Sequence, residues 1–182
     1  MIGCASDGPK IQCPPLHCVE GAVISRQTIE KVSSVVADYS DETLEREFEE
    51  LFGNHSEVCQ FVMDLTAESR QQVQELVLFL TYMTYKAVVE EGGHFEPVTP
   101  EAITEAYRES EVWMENMSRI EESEIESVSF TDVGEEPHLL GFVVSEINEA
   151  IEDRMQPSEE EKGTMFLVMK TVITAMTRRS EQ

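Results

Sequence analysis

Cys13-Pro14-Pro15-Leu16-His17-Cys18 packs three soft donors into six residues, with Cys4 upstream. Thiolate and imidazole suit zinc, so Cys4, Cys13, His17 and Cys18 are the candidate metal ligands. The spacing is neither C-x2-C nor a Cys2His2 pattern, and adjacent His17 and Cys18 do not easily serve one ion. A complete site needs Cys4, or Cys59 from further along, and the preferred reading is an arm with exposed thiols. Glu-x-x-His occurs twice, at Glu91/His94 and Glu135/His138. In di-metal helical bundles that spacing projects both ligands from one helix face into the core. Here Gly92-Gly93 interrupts one copy and Pro137 the other, and Glu146 and Glu149 only flank an apolar stripe. His55 and Cys59 stand four apart, close enough to touch on a helix, with Asp64 nearby in sequence. A nucleophilic cysteine needs a base within reach and an exposed cleft. Cys59 lies beside Val58, Phe61 and Val62, so a structural thiol is expected. The chain has no phosphate-cradling glycine loop, G-x-S-x-G or H-E-x-x-H, and these residues assemble no catalytic set.

The elements that must carry these residues are helical. Residues 1–24 hold Gly3, Gly8, Pro9, Pro14, Pro15 and Gly21 without any period, which predicts a flexible arm. Beyond it, apolar residues recur at helical spacing. The pattern predicts helices over 26–38, 42–52, 56–65, 67–91, 100–122, 137–155 and 159–179. Ser40 or Asp41 is placed to cap the second helix, with Leu44, Phe48, Leu51 and Phe52 as its core stripe and Gly53 as its stop. Thr66 is placed to cap the fourth, whose wide apolar surface marks it as the central helix. Thr99-Pro100-Glu101 opens the fifth, and Ser158 with Glu161 fits a capping box for the last. Ile125, Val128, Phe130 and Val133 lie among acids, so 123–136 is expected to be a short strand or a docked loop. The predicted class is all-α: a bundle of about six or seven helices around the apolar helix 67–91. Domain boundaries are expected at 1–24 for the arm and 25–182 for one helical domain, with 25–122 and 137–182 as a conceivable subdivision.

Of 182 residues, 37 are acidic and 13 basic, a formal net charge of −24. That charge disfavours direct contact with nucleic acid or with an anionic membrane, since both repel it. The most apolar stretch, Leu76 to Val89, is shorter than the roughly 20 residues a membrane span needs. The first twenty residues lack a basic start followed by an apolar run, which predicts a cytoplasmic protein with free thiols. Residues 101–161 hold 19 acids and 3 bases, a net of −16. Glu121, Glu122, Glu124 and Glu126 form the densest run and are the candidate contacts for a basic protein partner. Met114, Met117, Met165, Met169 and Met176 are expected to fill the core rather than line an adaptable groove. The expected function is protein–protein contact as a regulator, adaptor or inhibitor, with self-association through leftover apolar faces also open. The alternatives are a metal-binding protein or enzyme using the Cys/His arm, and a structural subunit of a larger assembly.

Overall fold

A computed structural model of the chain describes residues 23–92, 97–117, 136–153 and 155–178. All but two residues of the predicted arm and all but one of the predicted strand-or-loop segment lie outside these. The described residues form seven helices and no strand: α1 (Arg26–Ala37), α2 (Asp41–Asn54), α3 (Ser56–Leu65), α4 (Gln71–Glu90), α5 (Pro100–Met117), α6 (Pro137–Asp153) and α7 (Glu159–Thr177). They pack as an all-α bundle.

The caps expected from the sequence form, with one exception. The Ser25 hydroxyl accepts from the Thr28 N–H, the Ser40 hydroxyl from Thr43, and the Thr99 hydroxyl from Ala102. At α7 both halves of the capping box form: Glu161 N–H donates to Ser158 Oγ at 3.1 Å, and Ser158 N–H to the Glu161 carboxylate at 2.8 Å. The exception is Thr66. Its hydroxyl donates to the Val62 carbonyl at 2.8 Å, which closes α3 instead of opening α4. The chain then turns through Ala67–Ser69, held by the Gln74 side-chain amide on the Thr66 and Ser69 carbonyls. Helix α4 therefore starts at Gln71 with Arg70 at its N-cap, and runs about 30 Å over 20 residues. Gly53 does not stop α2, which continues to Asn54. Gly92, just past α4, has φ +83°, a left-handed conformation in which glycine avoids the Cβ penalty.

Two helices share the interior. Helix α4 packs against α1, α2, α3, α6 and α7, and α7 packs against α3, α4, α5 and α6. In α7 every residue from Thr171 to Met176 is buried, so it has no solvent face there. Met165, Met169 and Met176 are buried in the core, and Met114 is half-buried. The two inner helices run parallel: Thr81 Oγ lies 3.9 Å from Met169 Sδ, and Arg70 meets Glu161 at their N-terminal ends. Buried hydroxyls in both helices are satisfied within their own turn, Thr81 on Val77, Thr84 on Leu80 and Thr171 on Leu167. Helix α5 lies chiefly on α7, burying Ile103, Ala106 and Ser110. Arg178, at the end of α7, reaches Glu105 and Glu109 on α5.

Glu161 joins the two inner helices at their starts. Besides capping α7, it accepts from the Arg70 backbone N–H and from Nε and a terminal nitrogen of its guanidinium. The Arg70 hydrogen bonds, followed by the backbone N–H of Ser158, hold this carboxyl down at about 2. A carboxyl depressed in the folded state stabilises the fold above its ordinary value of 4.5, and that contribution is lost as pH falls toward about 2. Glu161→Gln is expected to lower Tm at neutral pH and to flatten the acid limb of the Tm–pH curve across that window. A variant curve parallel to the parent's at all pH values would refute this role.

Candidate functional site

Helix α2 carries the surface with the most specific arrangement. Leu44, Phe48 and Phe52 recur every fourth residue, and so do Asp41, Glu45 and Glu49. Residues four apart on an α-helix build one ridge, so these are an apolar and an acidic ridge side by side, each about 12 Å long. They line an open concavity of about 510 Å³. Local sequence explains the helix: Ser40 caps it, and Asp41 and Glu42 sit favourably at the positive end of its dipole.

Tertiary contacts decide which way α2 turns. Leu51 is fully buried and anchors the helix. Leu44 and Phe48 are half-buried against the core, with Phe48 stacked on buried Tyr82 at 5.0 Å between ring centroids. Phe52 is 37% exposed. The predicted core stripe of α2 is thus split: Leu51 faces inward, Leu44 and Phe48 straddle the boundary, and Phe52 faces solvent. On the α4 side, Glu47 accepts from Lys86 Nζ at 2.8 Å and from the Tyr82 hydroxyl at 3.3 Å. The Lys86 hydrogen bond holds Glu47 below the usual carboxylate range. Asp41, Glu45 and Glu49 are exposed, and none forms an ion pair among the described residues.

The residues singled out for chemistry fall elsewhere. Cys4, Cys13, His17 and Cys18 lie outside the described residues, as do Glu121, Glu122, Glu124 and Glu126. His94 and Glu135 lie outside as well, leaving one member of each Glu-x-x-His pair. Glu91 is used structurally, its carboxylate accepting from the Ser25 backbone N–H at 3.2 Å. Hydrogen bonds from the hydroxyl of Thr28 and from Ser25 keep its pKa low. His138 is exposed on the first turn of α6. Glu146 is half-buried, and burial first, then the charge of Glu149, raises its pKa. Among the described residues no three His, Cys, Asp or Glu side chains converge as a metal site.

His55 and Cys59 do come together with α4, but in the interior. His55 is buried with its ring 5.1 Å from that of Tyr85, and burial lowers its pKa. Cys59 is fully buried, and burial pushes its thiol up to about 11. Little thiolate exists there at neutral pH, and the side chain presents no open surface to a reagent. Cys59 is expected to resist alkylation in the folded protein and to react once denaturant unfolds the chain, read by mass spectrometry of the peptide containing it. Native labelling as fast as that of a free thiol would contradict this.

The α2 face was missed as a site because its apolar residues alone read as core. The available signal was the matched four-residue spacing of 44/48/52 and 41/45/49. Chemically the face offers no nucleophile and no convergent set of polar groups. It offers apolar contact beside negative charge. No helix among the described residues is long and apolar enough to cross a membrane. Comparison of the chain with protein-family models, curated proteins and solved structures finds no match.

Proposed function

We propose that this protein acts through protein–protein contacts, as a regulator, adaptor or inhibitor that meets a basic partner, in the cytoplasm and without direct contact with nucleic acid. The observation that carries this reading is the acidic ridge beside a partly exposed apolar one on α2, in a chain of net charge −24. Charge of this density steers oppositely charged partners and repels like ones. The apolar ridge adds contact that charge alone lacks, because exposed aromatic and aliphatic groups gain from leaving water. Glu121, Glu122, Glu124 and Glu126, which lie outside the described residues, are further candidate contacts for the basic partner in this reading.

The test is to isolate the partner from the native host at low ionic strength, purify it, and measure its affinity across a salt series. The Debye length falls from about 10 Å at 0.1 M salt to about 3 Å at 1 M, so affinity should drop steeply over that range. A variant with Glu121, Glu122, Glu124 and Glu126 changed to glutamine should bind more weakly and show a shallower salt dependence. Affinity unaffected by both salt and these substitutions would exclude a charge-led contact.

A further inference from the structure

We propose that the α2 face receives a single amphipathic helix of the partner protein, with apolar side chains on one ridge and lysine or arginine on the next. This rests on the reading above and names the segment and the site. A furrow between two four-residue ridges is the shape into which a ridge of another helix packs, the commonest mode of helix packing. Here one bank is apolar, formed by Leu44, Phe48 and Phe52, and the other acidic, formed by Asp41, Glu45 and Glu49. An entering helix with apolar residues four apart fills the furrow. Its basic residues, one ridge over, then meet three exposed carboxylates that have no cation among the described residues. The 12 Å run matches about two to three turns of partner helix.

Other occupants fit less well. An extended strand needs an open sheet edge to bond to, whereas helix α2 spends its backbone groups on its own turns. A second copy of this chain, set α2 against α2, brings two acidic ridges together. An anionic membrane meets the same repulsion. A small molecule gains orientation from convergent polar groups, and this open furrow has only a row of like charges. Phe52, at the end of the apolar ridge, offers a large aromatic ring that is exposed and free to be covered by a partner.

The experiment is an amide-resolved NMR titration of the full chain with two synthetic peptides of identical composition. One places leucines along one helical face and lysines along the adjacent face. The other scrambles the same residues so that leucines surround the helix. The expected result is saturable shifts centred on residues 41–54 with the first peptide and at least about tenfold weaker binding with the second. Phe52→Gln should weaken the first peptide about tenfold or more. Asp41→Asn/Glu45→Gln/Glu49→Gln should weaken it comparably at low salt and remove most of the salt dependence. All these side chains are exposed, and circular dichroism checks that the variants fold.

Equal α2 shifts with both peptides would overturn the helix while leaving a basic partner in place. Salt-sensitive shifts elsewhere, with α2 silent, would overturn the site and keep the broader reading. No shift anywhere at low salt would overturn both. Shifts of α2 on dilution would assign the face to a second copy. Broadening of α2 by a spin label on Cys4, Cys13 or Cys18 would assign it to the chain's own N-terminal segment. Either would overturn the proposal.

Discussion

Leu80→Ala is expected to lower the unfolding free energy by about 2–5 kcal/mol and Tm by roughly 5–20 °C for a chain of this length. Leu80 is fully buried on α4, in one continuous core with Val77, Tyr82, Val143, Met165 and Met169. Truncation removes the transfer free energy of three heavy atoms and leaves a cavity. The helix contacting five others cannot shift to close it without disturbing them all. The lower bound applies if the unbranched Met169 side chain moves into the gap. Urea unfolding of parent and variant gives the difference directly, and an unchanged m-value ascribes it to stability alone. A loss under about 1 kcal/mol would mean that the centre of α4 is loosely packed.

Lys86→Met is expected to cost about 1–3 kcal/mol at neutral pH, more than an ordinary surface ion pair. Lys86 and Glu47 are 25% and 18% exposed, and the Tyr82 hydroxyl also bonds to that carboxylate. Removing the ammonium leaves a mostly buried negative charge with one neutral donor. Burial lowers the Lys86 pKa, but the hydrogen bond and charge of Glu47 outweigh it and the net shift is upward. The penalty is also pH-dependent. The depressed Glu47 carboxyl stabilises the parent above its ordinary value of 4.5 and loses that contribution as pH falls below it. In the variant, the same carboxyl takes up a proton more readily. The stability gap should therefore narrow on acidification. Glu47→Gln in the Lys86→Met background should recover much of the loss at neutral pH. A gap independent of pH, or no recovery in the double variant, would show that the pair is not acting through charge.

Much of the architecture was legible because helix signals are local. Ser40, Thr99 and Ser158 each sit where a hydroxyl can reach an N–H three residues on, and each does so. Apolar spacing placed Val58 and Val62 inside α3. The start of α4 was misplaced because a threonine hydroxyl has two local choices, an N–H ahead or a carbonyl behind, and Thr66 takes the carbonyl. The second inner helix was not distinguished from a peripheral one. Its buried Thr171 and Thr174 read as polar, yet Thr171 satisfies its hydroxyl on the preceding turn and needs no water.

The candidate site shows the same division. Residue types alone fixed that α2 is a helix with two parallel ridges, that the chain is strongly acidic, and that its apolar stripes require an all-α core. Periodicity, capping and net charge are properties of neighbours in sequence, so they survive without any fold. Only the tertiary structure decided that Leu51 anchors α2 while Phe52 is left in solvent, that Glu47 is taken by Lys86 while Asp41, Glu45 and Glu49 stay exposed, and that Cys59 is sealed in the core. Those outcomes depend on which flank of an amphipathic helix meets its neighbours. A stripe wider than the contact it makes always leaves an edge outside, and the position of that edge is set by helices far away in the chain.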